Sequence, residues 1–205
     1  MADAKKIVPF ILKWEAGTSK NPNDTAANFP VPDGTGVHTN KGITWGAWQA
    51  VNGGSDDSIE RFYAMSEKDW WPIFKFQYWD KIGGDNINSQ RIADILANWA
   101  WGSGTSVPVI AVQKVLGIKT DGIAGKKTVA AINASNEADT FNKLKAENIA
   151  FFQKLGKLDK FKMFIKGWNN RLNDLYNNYV PAIKPFPLLT FIFIGAAIYA
   201  ISKNS

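Results

Sequence analysis

Apolar residues recur at helical spacing along most of the chain. Near the N-terminus they occupy positions i, i+3, i+4 and i+7, which predicts a first helix with one apolar face and a cap near Asp3. The strongest periodicity follows Ser89 and predicts a central helix that stops at the sequence WGSGTS. Further helices are predicted over residues 44–51, 58–64, from 66 onward, 107–116, 126–133, 137–154 and 158–179. The chain is therefore predicted to be mainly α.

A long irregular segment interrupts this pattern directly after the first helix. Residues 16–41 contain six glycine and proline residues among polar ones, which predicts a long loop or a small hairpin. Loops of this length in compact domains are usually functional. Glu15 stands at the break, and His38 is expected on the surface of the loop.

An aromatic cluster between residues 70 and 79 has two interpretations. Dense aromatic residues usually form core, and we take core packing as the first expectation. A wall on which sugar rings stack would have the same composition.

Composition narrows the possible chemistry. The 205 residues include no cysteine and one histidine, which excludes disulfides, thiolate metal sites, a cysteine nucleophile and a multi-histidine metal centre. We expect no metal and no cofactor. Carboxylates, hydroxyls and amides remain, and paired carboxylates are the usual means of cleaving glycosidic bonds.

The positive charge is concentrated in the second half. Residues 1–100 carry 10 basic and 12 acidic side chains, whereas residues 101–205 carry 14 and 6. This asymmetry favours an anionic partner such as nucleic acid, anionic lipid or bacterial cell wall. No helix-turn-helix, zinc-finger or RNA-binding pattern favours nucleic acid. A solvated basic face is the simpler alternative.

The two ends of the chain give different expectations about membranes. The N-terminus has no small-residue cleavage site, so we expect no secretory signal there. Residues 186–201 are uncharged and almost wholly apolar, slightly short of the roughly 20 residues that cross a bilayer. A membrane anchor is favoured over a buried core helix, because the sequence KPFP precedes this tail.

Glu15 is the candidate general acid. Cleavage of a glycosidic bond needs a carboxylic acid that is protonated near neutral pH. Glu15 follows Trp14 and an apolar helix face, where desolvation would raise its pKa, and it borders the loop from which a substrate could approach. A solvated glutamate at a helix end is the ordinary alternative.

Five ordered segments resemble the glycoside hydrolase family 108 lysozymes, which include secretion-activating-protein-like sequences. The segments span about residues 7–175 and read ILKWEAG with NPND and TNKGIT, then YWDKIGGDNI, ADILANWAWGSG, AVQKVLGIKTDGIAGKKTVAAIN and FIKGWNNRLNDL. The resemblance implies an α-helical lysozyme-like fold and hydrolysis of peptidoglycan between N-acetylmuramic acid and N-acetylglucosamine. It also implies a peptidoglycan-binding-like segment in the C-terminal half.

The resemblance assigns roles to individual residues. Glu15 matches the catalytic glutamate, Asp24 the second acidic residue of a D-P-x-D element, and Thr39 a threonine before K-x-G-I. From their position in the loop after Glu15, Asp24, Asp33 and Thr39 are candidates for orienting a water. We favour attack by water on the opposite sugar face, assisted by Asp24 or Thr39, and the sequence does not decide between inversion and retention. Candidate substrate contacts are Asn98, Trp45, Trp101 and Gln113.

The region of residues 109–132 is open to two interpretations. Its Asp-Gly turn, Gly125 and Thr128 suit a purely structural role, which we rank first, and binding of glycan or stem peptide is second. We expect a catalytic region over residues 1–103, a peptidoglycan-binding-like region over 104–180 packed on it, and a hydrophobic tail over 181–205.

Departures from the family pattern keep two further hypotheses open. Residues Thr18, Asn21, Asn98 and Gly102 replace family residues, so a non-catalytic wall-binding or assembly protein with a degenerate site is the main alternative. A membrane-inserting effector whose tail kills cells is the third. The leading expectation is a monomeric muramidase that is membrane-associated through its tail and acts on the cell wall or periplasm.

Overall fold

The computed structural model describes residues 1–15, 17–19, 38–52 and 59–180. The prediction of a mainly α chain is confirmed. The α-helices are α1 (Ala4–Trp14), α2 (Trp45–Asn52), α3 (Ile59–Tyr63), α4 (Glu67–Phe74), α5 (Gln90–Ser103), α6 (Ser106–Val115), α7 (Lys126–Ala134), α8 (Glu137–Leu155) and α9 (Ile165–Asp174).

Short helical turns of other types complete the helical part. Two turns of π-helix, Lys75–Trp79 and Leu175–Tyr179, directly extend α4 and α9. Two 3₁₀ turns cover Gly84–Asn86 and Asp159–Phe164. The helix predicted over residues 158–179 is thus divided into three parts. The first part is the 3₁₀ turn Asp159–Phe164. None of its side chains is buried, so it lacks the packing that would stabilise a regular α-helix.

A small antiparallel sheet follows α1, in agreement with the hairpin that the sequence allowed. Its strands are β1 (Thr18–Ser19), β2 (Thr39–Asn40) and β3 (Ile43–Thr44), in the order β1-β2-β3. The turn between β2 and β3 consists of Lys41 and Gly42, both with positive φ. This turn points the hairpin at the end of α1.

Helix α5 is the centre of the structure. Every residue from Ile92 to Trp101 is buried, so the helix is covered on all sides, as expected for a core helix. Its neighbours include α1, α6, α8 and the first π-turn. Ser89 caps its N-terminus by accepting a hydrogen bond from the backbone N–H of Ile92.

The aromatic cluster of residues 70–79 supplies core. Trp70, Phe74 and Trp79 are fully buried, and the rings of Trp70 and Phe74 stack with centroids 5.1 Å apart. This burial supports the first of the two interpretations of the cluster. His38 is also fully buried, beside the Tyr63 hydroxyl, so its expected position on the surface is wrong.

The apolar tail of residues 186–201 lies outside the described residues and stays a prediction. Over the part of the chain that the structure describes, no helix has the length and apolar character needed to span a bilayer.

Asp94 is a buried carboxyl group on α5. It accepts a hydrogen bond of 2.7 Å from Gln90 Nε2, and burial raises its pKa to about 7 despite that bond and the charge of Lys6. Because the folded state binds this proton more tightly than the unfolded state does, the contribution of Asp94 to stability is present at acidic pH and is lost as pH rises from about 4 to about 7.

We predict that Asp94→Asn removes this pH dependence. Asparagine keeps an acceptor for Gln90 but carries no charge, and each unit of pKa shift corresponds to about 1.4 kcal/mol. Denaturant unfolding at about pH 5 and about pH 8 should show a stability gain for the variant that is larger at the higher pH. An equal difference at both pH values would contradict the assignment.

Candidate active site

Glu15 ends α1 and turns its carboxyl group inward. Its backbone N–H donates to the carbonyl of Ile11 over 3.1 Å and closes the last turn of the helix. Its side chain is 21% exposed, so the carboxyl group is largely covered but still accessible to solvent. The structure thus gives Glu15 the partly covered position that a general acid needs.

Helix α9 holds the other side of this carboxyl group. Arg171 donates from Nη1 to Glu15 Oε1 in an ion pair, and from Nε to Asn98 Oδ1 over 3.0 Å. Its remaining nitrogen, Nη2, is buried and has no acceptor among the described residues. One guanidinium therefore joins α1, α5 and α9, with one donor still unused.

Asp174 also links α9 to α1, one turn farther along α9 than Arg171. Its Oδ2 accepts from Lys13 Nζ over 2.7 Å and from Trp14 Nε1 over 2.8 Å. Hydrogen bonding from Asn178, followed by that from Lys13 and Trp14, lowers the pKa of Asp174 to about 2. Asp174 therefore stays ionised at any pH near neutrality, and the contact between the helices persists.

The β2–β3 turn approaches Glu15 from the third side. A Cβ atom added to Gly42 would lie 2.8 Å from Glu15 Oε2 and 2.8 Å from the indole of Trp101. Only glycine fits between these two side chains, and its φ of +75° also favours glycine. The turn thus lies close to the second carboxyl oxygen, while Arg171 holds the first.

A small cavity of about 120 Å³ opens beside this carboxyl group. Aromatic and polar side chains share its wall, and Trp168 packs on Phe152 with ring centroids 5.3 Å apart. Such rings offer a surface for a sugar face. The cavity is lined by Glu15, Asn98, Gly102, Phe152, Trp168, Arg171 and Leu172.

Glu15 affects the pKa of a second titratable group, the hydroxyl of Tyr78. Burial raises the pKa of the Tyr78 hydroxyl, and the negative charge of Glu15 raises it further. The ring of Tyr78 packs on Trp101 with centroids 4.6 Å apart. Tyr78 is therefore an un-ionised neighbour of the site at neutral pH.

Two further sequence candidates lie near this centre, and one cannot be placed. Asn98 lines the cavity and is bonded to Arg171. Thr39 is half-buried on β2, on the sheet whose turn touches Glu15. Asp24 lies outside the described residues.

Gln113 and Trp45 are packed inside the protein. Gln113 is fully buried; its Nε2 donates to Asp121 and Thr128, and its Oε1 accepts from the backbone of Gly122. These bonds use the side chain to hold the loop before α7, which favours the structural alternative for this segment. Trp45 is 2% exposed and packs edge-on against Phe62.

Sequence reasoning did not single out Arg171 or Trp168. Both belong to the motif FIKGWNNRLNDL, which served only to establish resemblance. The motif contains an arginine, which was the only sign of a charged partner for Glu15. Because the two residues lie more than 150 positions apart, no local pattern in the sequence pairs them.

Comparisons with known proteins match two families and one solved structure. Residues 8–104 match the model of the family Glycosyl hydrolase 108, and residues 107–173 match that of the family Predicted Peptidoglycan domain. The structure is similar to that of SagA from Brucella abortus, with 29% sequence identity, a TM-score of 0.66, and coverage of 83% of this chain and 90% of that chain. Among curated proteins, none matches significantly. The matches support glycoside hydrolase activity on peptidoglycan.

We predict that Gly42→Ala destabilises the protein more than Gly17→Ala does. Both positions have positive φ, but a Cβ at Gly17 meets nothing within 4 Å, whereas one at Gly42 meets Glu15 and Trp101. Overpacking of this kind costs roughly 1–3 kcal/mol beyond the shared backbone cost. Thermal unfolding of the two variants measures the difference. Equal losses would show that the turn does not press on Glu15.

Proposed function

Because the chain combines a glycosyl hydrolase 108 domain with a predicted peptidoglycan domain, we propose that it is a lysozyme of the N-acetylmuramidase type. It cleaves peptidoglycan between N-acetylmuramic acid and N-acetylglucosamine, and Glu15 is the general acid. The observation that supports this most directly is the position of Glu15, fixed from three elements and facing a cavity with aromatic walls.

The ion pair with Arg171 has to loosen during the reaction. A general acid must carry a proton when the glycosidic oxygen leaves, whereas a guanidinium partner favours the carboxylate. In our proposal Arg171 fixes Glu15 before substrate binds. An oxygen of the sugar then accepts a hydrogen bond from the unused Nη2, which draws Arg171 away from Glu15.

Attack by water on the opposite face of the sugar ring completes the reaction. Thr39 is placed on the sheet beside Glu15 and would orient the water by hydrogen bonding, or Asp24 would act as the base. An inverting reaction with Asp24 would require its carboxyl group to lie roughly 6.5–9.5 Å from that of Glu15.

The substrate contacts follow from the wall of the cavity. Trp168 and Phe152 offer ring faces to a sugar, and Asn98 and Arg171 offer polar atoms. Trp101 is 8% exposed and acts by confining Glu15. The low exposure of Trp45 and Gln113 leaves them structural in this proposal.

The biological role that fits this activity is lysis or local opening of the bacterial wall, as a phage endolysin or a bacterial lysis or secretion factor. The protein would act as a monomer. Residues 186–201 would hold it at the membrane while it works on the cell wall.

We predict that Glu15→Gln abolishes clearing of a peptidoglycan suspension while folding is unchanged. Glutamine keeps the size of the side chain but cannot donate the proton. Glu60→Gln, which changes an exposed glutamate of α3, is the matched control and should clear as the wild type does. Mass spectrometry of the digest should find N-acetylmuramic acid at the new reducing ends.

Two results would contradict the proposal in different ways. Equal clearing by Glu15→Gln would remove Glu15 as the acid. Binding to insoluble peptidoglycan by the wild type, with no new reducing ends after long incubation, would leave the wall-binding alternative.

We also predict that Arg171→Met lowers kcat by about 100-fold, since a displacement of a catalytic group by about 1 Å has that effect. Arg171→Lys keeps the charge but loses the planar contact to Asn98, so it should recover only part of the activity. The kcat and KM of the two variants test this.

The exposed Lys166 on the same helix provides the control, and Lys166→Met should have wild-type kcat. A purely structural Arg171 would instead give a low melting temperature and a normal kcat for the folded fraction.

A further inference from the structure

Helices α6 and α8 enclose a second, larger cavity of about 380 Å³, which we call the α6/α8 groove. Its floor is apolar and partly aromatic, and Trp99 packs on Phe151 with ring centroids 5.5 Å apart. Three charged side chains also line it: Lys114, Glu147 and Lys154. The mixture of an apolar floor and charges suits an amphipathic ligand.

The groove is a neighbour of the candidate active site. On α5, Asn98 lines the cavity at Glu15 and the next residue, Trp99, lines the groove. On α8, Phe152 lines the first cavity and Phe151 the second. Adjacent residues of the same two helices thus line the two sites, which places the sites close together.

The charged side chains of the groove have no ion-pair partner among the described residues. Lys114, Glu147 and Lys154 are exposed, and within the described ranges none of them forms an ion pair. By contrast, Lys143 on the same helix α8 is paired with Asp139 over 2.8 Å. The buried indole N–H of Trp99 also finds no acceptor among these residues. The groove therefore offers two cations, one anion and small apolar contacts.

A neutral glycan would leave those three charges unsatisfied, whereas a short peptide with several carboxylates and one amine would match them. The stem peptide of peptidoglycan has this chemistry: alanine methyl groups, the carboxylates of glutamate and of the terminal residue, and the side-chain amine of a diamino acid. We propose that the α6/α8 groove binds this stem peptide. This inference builds on the proposed function, because it names the part of peptidoglycan that the second domain holds.

In this arrangement the carboxylates of the peptide face Lys114 and Lys154, and its amine faces Glu147. Alanine methyl groups lie on Phe151 and the neighbouring apolar residues. Binding at the groove keeps the glycan close to Glu15 and raises its effective concentration there.

Calorimetric titration of the full chain with soluble L-Ala–γ-D-Glu–diaminopimelate–D-Ala tests the proposal. The wild type should bind, and the double variant Lys114→Gln/Lys154→Gln should bind about tenfold more weakly, since it removes both cations that face the carboxylates of the peptide. Glu147→Gln should weaken binding of this peptide but not of a peptide in which alanine replaces the diamino acid.

The matched control is Lys126→Gln/Lys127→Gln, which removes the same charge from exposed positions on α7. It should bind the tetrapeptide as the wild type does. Equal weakening by the control would show a general charge effect and would overturn the proposal. So would absence of peptide binding by the wild type, or binding of neutral chitotetraose that the groove variants abolish.

The outcome is separable from that of the proposed function. Glu15→Gln should retain full affinity for the tetrapeptide, because the acid does not line the groove. If the protein binds the peptide normally but does not hydrolyse glycan, only the proposed role of Glu15 is contradicted. If it hydrolyses peptide-free glycan normally but binds no peptide, only the groove proposal is contradicted.

Discussion

The ion pair between Glu15 and Arg171 is the contact on which the candidate site depends. It joins the end of α1 to α9, and the bonds of Asp174 to Lys13 and Trp14 brace the same junction one turn away. The Gly42 turn then closes the third side. Three elements thus place one carboxyl group beside one cavity.

This junction connects the two family-matched regions at the candidate site. Arg171 and Trp168 lie within the match to the peptidoglycan domain, whereas Glu15 and Asn98 lie within the match to the hydrolase domain. Helix α5 serves both regions, since its adjacent residues line the candidate catalytic cavity and the α6/α8 groove. In our proposal the region that binds the wall also completes the catalytic site, so binding of the polymer is coupled to its cleavage.

The sequence predicted the features that depend on local pattern. Helical periodicity located the helices, and the ordered motifs indicated the family and made Glu15 the candidate acid. It did not predict Arg171 as the partner of Glu15, because that pairing is decided by the packing of α9. Nor did it predict the raised pKa of Asp94, since a periodic pattern defines one face of a helix whereas α5 is covered on all sides. The burial of Gln113 on α6 was missed because it depends on bonds to the loop before α7.

The distance along the chain between Glu15 and Arg171 has a consequence for biosynthesis. The two residues are 156 positions apart, so a nascent polypeptide that has already formed α1 still lacks the arginine that fixes its acid. Contacts of such long range form late in folding, after the entropy of closing the intervening loop has been overcome. In our proposal a nascent fragment that ends before α9 is therefore latent, and the capacity to damage the wall arises only after Arg171 has been added and α9 has packed against α1.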